Sequence, residues 1–217
     1  MKLSKDTLNY LKHFSTINPN FLFKKGAQQN TIAASKNRAV QATLDAGFPM
    51  NFPIRDLGGF LKAVSNFDDP EIKFTKSQLT ISGKGGEIHF KPVARNELIL
   101  QKKEINFPKE DFEFEISNIQ FSSLMKTLRK NYFHYVYFEG DGKEVTARTD
   151  PTYRGEYVYQ QVIGKTNKKF SFKFLTSNLI CPIDDYTVSI SSKGIARFKS
   201  KNCGYISYAA IELPQPD

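Results

Sequence analysis

The residue types that most often carry chemistry are present in this sequence, but their spacing does not assemble them. Lys84 sits in Gly83-Lys84-Gly85-Gly86, yet the Gly-x-x-x-x-Gly-Lys-Ser/Thr spacing that wraps backbone amides around a nucleotide phosphate is missing. Three acidic pairs, Asp68-Asp69, Glu110-Asp111 and Asp184-Asp185, fall in turn-like positions. Carboxylates adjacent in a chain point apart more readily than they converge, so a two-metal or general-acid centre is not expected from them. His13, His89 and His134 lie far from Cys181 and Cys203, no Cys-x-x-Cys occurs, and no serine or carboxylate stands near a histidine at a spacing that suggests a triad. The reading is a protein that is not an enzyme and holds no metal ion and no cofactor. Both cysteines are expected to be buried thiols in a reducing compartment.

Charge remains. Lys and Arg outnumber Asp and Glu by 31 to 22, a formal charge of +9 with a pI near 9.4, which favours a polyanionic partner. Three segments with a helical period decide where the cations go. At about 100° per residue, Leu8, Leu11, Phe14 and Ile17 share one side of a helix over Ser4–Ile17, with Lys5, Asn9, Lys12 and Thr16 opposite. In a helix over Asp56–Phe67, Leu57, Phe60, Leu61 and Val64 are opposed by Arg55, Gly59, Lys62 and Asn66. In a third, Ser117–Lys130, Phe121, Leu124, Met125 and Leu128 are opposed by Ser122, Ser123, Lys126, Arg129 and Lys130. Surface helices usually mix signs, because Glu-to-Lys pairs four apart add about 0.2–0.5 kcal/mol each. Three helices that decline this gain predict one basic surface suited to phosphates rather than to base edges. No ribonucleoprotein-type aromatic motif, paired recognition helix or finger spacing is present to read bases.

These helices belong to a pattern that recurs four times: a short alternating stretch, a helical segment, then several strand-like runs. The fourth copy carries only a short neutral piece, Leu175 to Cys181, ended by Pro182. Strict alternation in Phe112-Glu113-Phe114-Glu115-Ile116 and in Phe170-Ser171-Phe172-Lys173-Phe174 marks strands, as does the aromatic run from Tyr132 to Glu139, whose alternation puts half its rings in a core. Asp141-Gly142 is a hairpin signal. The class is therefore α+β, with two copies in each of two domains, 1–90 and 111–217. Between them, residues 91–110 have no helical period and hold one exposed-looking apolar knot, Leu98-Ile99-Leu100, a form usual for functional segments or an edge strand. No apolar run approaches the ~20 residues of a membrane span, and the polar start, Met1-Lys2-Leu3-Ser4-Lys5-Asp6, does not read as a signal peptide.

Met1-Lys2-Leu3-Ser4-Lys5-Asp6-Thr7, Leu11-Lys12-x-Phe14-x-Thr16-Ile17-Asn18, Asp56-Leu57-x-Gly59-Phe60-Leu61, the Asp68-Asp69 turn and the closing Ala209-x-x-Glu212 together resemble the sliding clamps of T-even-type bacteriophages. That family is related in fold to proliferating cell nuclear antigen. The resemblance spans the chain and is strongest over the first 70 residues. It implies a DNA-clamp fold with helices on an inner face and sheets outside, closed by edge-strand pairing into a homotrimeric ring of six domains around duplex DNA. It implies work as a processivity factor for the viral DNA polymerase in the cytoplasm of an infected bacterium. Lys5, Lys12, Lys62, Lys126, Arg129 and Lys130 become the DNA-facing residues. Leu98, Ile99, Leu100, Tyr208 and Pro214 become a pocket for a partner peptide. Besides double-stranded DNA and itself, the partners implied are the polymerase, an ATP-dependent clamp loader and viral late transcription factors, with no membrane. Such clamps are commonly acidic outside the hole, so the net +9 is a departure. Two other classes fit parts of the sequence: a single-stranded DNA-binding protein, and a β-rich virion structural protein.

Overall fold

A computed structural model of the chain describes residues 1–151 and 158–212. The chain divides into two compact units, Met1–Glu104 and Ile105–Asp217.

In the first unit the order is α1 (Lys5–Ser15), β1 (Phe21–Phe23), β2 (Gly26–Ile32), β3 (Arg38–Phe48), β4 (Phe52–Ile54), α2 (Leu57–Ser65), β5 (Glu71–Phe74), β6 (Leu79–Gly83) and β7 (Gly86–Phe90). All pairing is antiparallel: β1 with β4, β2 with β3, and β5-β6-β7 in that order. Aromatic packing explains why these short strands hold together. Phe23 is fully buried, and its ring lies 4.8–5.5 Å from those of Phe21, Phe48, Phe60 and Phe74, mostly edge to face, an arrangement that adds attraction beyond area burial. One side chain thus ties strands from both copies to α2, while α1 and α2 pack on each other.

In the second unit the order is β8 (Phe112–Ile116), α3 (Asn118–Lys130), β9 (Tyr135–Asp141), β10 (Glu144–Thr149), β11 (Gln160–Lys165), β12 (Lys169–Leu175), a 3-10 turn (Thr176–Leu179), β13 (Tyr186–Ser191), β14 (Ile195–Ser200) and β15 (Tyr205–Ala210). One sheet runs β11-β10-β9-β12, and β15, β14, β13 and β8 are neighbours in another. Phe138 does here what Phe23 does in the first unit, meeting Phe114, Phe174 and Phe198 at 4.9–6.5 Å. Where β11 crosses β8, a Cβ on Gly164 would sit 2.6 Å from the Glu115 carbonyl oxygen, so only glycine permits the approach.

The fourfold pattern is visible as a helix or 3-10 turn followed by three strands, and the three helices match the expected segments to within two residues at each end. Several details differ. The piece expected at Leu175–Cys181 is a single 3-10 turn, because Pro182 stops it before a second turn forms. β9 begins at Tyr135 rather than Tyr132, which has a positive φ that ends α3 instead of opening a strand. β11 was not expected: two glutamines and a glycine break its alternation. Cys181 is buried as anticipated, whereas Cys203 is exposed in a turn, its Sγ 3.0 Å from Ser200 Oγ.

On the outer side of β9, Arg148 donates from Nε and Nη2 to the two Glu139 carboxylate oxygens at 3.1 and 2.9 Å. These bonds hold the Glu139 carboxyl below its usual range. A depressed carboxyl stabilises the fold above its ordinary value and stops doing so as pH falls through the folded value. Arg148→Ala is therefore expected to lower Tm by roughly 2–4 °C at neutral pH, about 1 kcal/mol for a half-exposed pair. Thermal melts in successively more acidic buffers should show that deficit shrinking.

Candidate nucleic-acid interface

Each helix is set by its cap and its apolar stripe. Ser4 caps α1 by accepting from the Thr7 amide, and Thr7, Leu11 and Phe14 are buried. Leu8 and Ile17 are half-buried, so Lys5, Asn9, Lys12 and Thr16 are left exposed. Asp56 caps α2 by accepting from the Gly59 amide at 2.8 Å. Leu57, Phe60, Ala63 and Val64 go inward, leaving Arg55, Lys62 and Asn66 exposed. α3 opens with a capping box, in which the Ser117 side chain and the Gln120 side chain each satisfy the other's backbone amide. Phe121, Leu124, Met125 and Leu128 are buried and Ser123, Lys126, Arg129 and Lys130 are exposed.

The three helices carry six cations other than histidine and one carboxylate, Asp6. Those six, Lys5, Lys12, Lys62, Lys126, Arg129 and Lys130, are the six expected to face DNA, and every one is exposed. Elsewhere the chain does pair its charges: Lys2 with Asp69, Arg55 with Glu97, Arg148 with Glu139, Lys173 with Asp150, Arg197 with Glu110 and Lys201 with Glu115. Among the described residues no ion pair takes a cation from within the three helices. Arg55, just before α2, is engaged by Glu97, which leaves Lys62 to supply the charge of that helix face.

The residues with nominal chemistry are structural. Lys84 and Gly85 form the exposed β6–β7 hairpin turn, with Gly85 at φ +98°. Asp69 pairs with Lys2, Glu110 with Arg197, and Asp111 accepts from the Ser192 amide, which holds its carboxyl low. Asp184 accepts from Ser200 and Asn202, and Asp185 accepts from the Asn118 amide at the start of α3. Among the described residues no three His, Cys, Asp or Glu side chains gather as a metal site, and no helix is long and apolar enough to cross a membrane.

β7 and β11 are among the strands that end a sheet. β7 ends one three-stranded sheet, whose other edge, β5, is met by Met1: the Ile72 amide donates to the Met1 carbonyl, and the Met1 ammonium donates to the Ile72 carbonyl. β11 ends its own sheet, whose far strand β12 is bridged by Glu212. Around β11 lie unusually exposed apolar side chains: Ile119 is 78% exposed and Val162 43%. Gln120 links the two, its Nε2 donating to the Val162 carbonyl and its own carbonyl accepting from Gln161. Sequence reading missed Ile119 because it stands singly on the basic side of α3, one and two turns before Ser123 and Lys126, and missed β11 for lack of alternation.

The connector residues are fastened rather than loose. Leu98 is only 7% exposed and Leu100 half-buried, so of the expected knot only Ile99, 45% exposed, faces solvent, and the segment is a 3-10 turn followed by irregular backbone rather than an edge strand. Asn18 donates to the carbonyls of Ile32 and Ile99 at 2.9 and 2.8 Å, and Asn20 accepts from the Ile99 amide at 3.0 Å. Leu98, Ile99 and Leu100 belong to the first unit. Tyr208 belongs to the second, 7% exposed, its ring 6.3 Å from Phe107, over which the Arg197 guanidinium lies at 4.5 Å. Pro214 lies outside the described residues. The five therefore form no contiguous site within either unit.

Helix-and-three-strands modules repeated four times, with basic helix faces, define a DNA-clamp architecture, and a comparison with a solved structure agrees. The crystal structure of proliferating cellular nuclear antigen from Entamoeba histolytica matches with a TM-score of 0.67 over 95% of this chain and 94% of that one, at 15% identity, which speaks to the fold alone. No family model matches the sequence. Three curated relatives do. The chain is 27% identical over 214 residues to the sliding clamp of Vibrio phage KVP40, covering 94% of this chain and 97% of that one. It is 25% identical to the sliding clamp of Escherichia phage RB69 and 24% identical to that of Enterobacteria phage T4, each over 95% of both chains. These likenesses run nearly the full length of the chain, which is similar in sequence to the sliding clamps of T4-type phages and similar in fold to proliferating cellular nuclear antigen.

Asn20→Ala removes the acceptor of the Ile99 amide. Hydrogen exchange at that amide is expected to accelerate by roughly an order of magnitude, as follows from losing a bond worth about 1 kcal/mol, while core amides such as that of Phe23 keep their protection.

Proposed function

We propose that this chain closes as a head-to-tail homotrimer around duplex DNA and tethers the viral replicative polymerase to its template. The observation that carries the reading is the set of six exposed helix cations that pair with no carboxylate among the described residues, in a chain similar over nearly its whole length to sliding clamps. In the ring, helices face inward and sheets outward. The cations give sequence-blind, salt-sensitive phosphate contacts, and retention is topological.

Closure uses the outer edges of β7 and β11. β7 of one copy pairs with β11 of the next, and Ile119 and Val162 are covered by that neighbour. This is a heterologous contact that closes after three steps and leaves neither of these edges exposed. Leu98, Ile99, Leu100, Tyr208 and Pro214 contact the polymerase peptide and the ATP-dependent loader, viral late transcription factors use the same ring, and the complex works in the cytoplasm of the infected cell.

Light scattering should give three times the 24.8 kDa chain mass, and Val162→Glu, which puts a charge in the covered edge, should yield monomer. On nicked circular DNA with loader and ATP, bound clamp should be lost when the circle is cut. Retention on short linear fragments that survives gel filtration, unlike the weak equilibrium phosphate contacts of a ring free to slide off, would instead support a single-strand or groove binder. Lys12→Glu with Lys126→Glu should reduce loading at least tenfold while the trimer mass is unchanged. A monomeric parent at micromolar concentration would remove the ring.

A further inference from the structure

Tyr132 is held in a backbone conformation that side chains of its size avoid, and nothing in the core explains it. Seven positions among the described residues have a positive φ. Four are glycine (Gly26, Gly85, Gly142 and Gly194), Lys36 lies in the β2–β3 turn, Asp69 is of a type that tolerates the left-handed region, and the seventh is Tyr132 at φ 54°. It follows the last residues of α3 in a Schellman arrangement: the Tyr132 amide donates to the Arg129 carbonyl and the Phe133 amide to the Leu128 carbonyl, at 3.3 and 3.1 Å. Leu128 and Phe133, which flank the motif, are buried. Glycine is the usual residue at the left-handed position of that motif. Tyr132 is 88% exposed, so its ring returns no packing for the backbone strain, and strain of this kind is retained where function needs the side chain.

Three exposed cations that pair with no carboxylate among the described residues, Lys126, Arg129 and Lys130, stand within six residues before it. We infer that Tyr132 is a DNA-backbone contact that extends the basic face of α3: its hydroxyl donates to a phosphate oxygen and its ring rests against the adjoining deoxyribose. Tyrosine hydroxyls are among the groups that make such sequence-independent contacts. A duplex is the occupant because single-strand sites stack successive bases on several aromatic rings, whereas Tyr132 is the only aromatic among the large apolar residues that the described chain exposes. The inference rests on the proposed DNA-facing role of α3.

The test is fluorescence anisotropy of the trimer on a short linear duplex across a salt series, beside thermal melts. Tyr132→Phe should weaken binding roughly two- to fivefold with Tm unchanged, as expected for one exposed hydrogen bond. Tyr132→Gly should weaken it at least as much while raising Tm by roughly 2–4 °C, since glycine adopts the backbone freely. Neither should alter the salt slope, because no charge is lost, whereas Lys130→Ala should make the slope shallower by about 1. A Tyr132→Gly protein that is more stable yet binds with parental affinity overturns the inference. So does a loss that is larger on single-stranded oligonucleotide than on duplex, which would assign the ring to base stacking. If Lys126→Ala with Lys130→Ala also leaves affinity and slope unchanged, the helix-face reading fails and takes this inference with it.

Discussion

Each helix is pinned by an apolar stripe sunk into an aromatic core, and that pinning decides where its charge must go. Phe121, Leu124, Met125 and Leu128 cannot leave the core without exposing large apolar surfaces, at about 25 cal/mol per Å², so Lys126, Arg129 and Lys130 have no rotation of α3 by which to find carboxylates. Lys126 stands three and four residues from Arg129 and Lys130, spacings at which like charges repel by a few tenths of a kcal/mol. The α3 macrodipole favours cations in the last turn and offsets part of this for Arg129 and Lys130. Lys12 and Lys62 likewise stand in the last turns of α1 and α2 and gain the same help, whereas Lys5, at the first position of α1, is opposed by the dipole, and there a polyanion is the natural counter-charge. The six ion pairs made by lysines and arginines outside the helices show that the chain has carboxylates to spend and does not place them here.

The same economy governs the strands. A module of one helix and three short strands is too small to bury its own edges, and most edges are met from within the unit: β5 by Met1 and β12 by Glu212, while Gly164 lets β11 press across β8. β7 and β11 end their sheets without such a contact at their outer edges. Exposed edges invite uncontrolled pairing, and apolar residues such as Ile119 beside one of them increase that hazard. In the proposed ring both problems have one solution, since β7 of one copy pairs with β11 of the next.

Legibility in the sequence followed the strength of the local period. The three helices were readable because their stripes are strict at 3.6 residues and their caps, Ser4, Asp56 and Ser117, stand where chemistry requires. β8 was readable to its end residues because its alternation of Phe and Ile with Glu is unbroken. β11 was not, since its fit depends on a missing Cβ at Gly164 rather than on a pattern. Tyr132 was absorbed into a strand because a positive φ leaves no trace in residue type unless the residue is Gly or Asn. Leu98 looked exposed because the anchors of its neighbour Ile99, Asn18 and Asn20, lie about eighty residues earlier. The basic faces, by contrast, needed only helix geometry, which is why all six candidate residues emerge exposed.

Five of the six helix-face cations are lysine and one is arginine, and that choice bears on what kind of contact they make. Arginine's planar fork rewards one fixed, bidentate geometry, while lysine is a mobile point charge on a flexible stem whose attraction to phosphate hardly depends on direction. A surface that must hold DNA in place gains from forks. A surface past which the duplex must move gains from point charges, because each phosphate can be exchanged for the next without breaking an oriented pair of hydrogen bonds. Tight binding and free translation conflict when both depend on the same contacts. In the proposed ring the two are separated: retention falls to covalent continuity and strand pairing, and the lysines have only the task of centring the duplex.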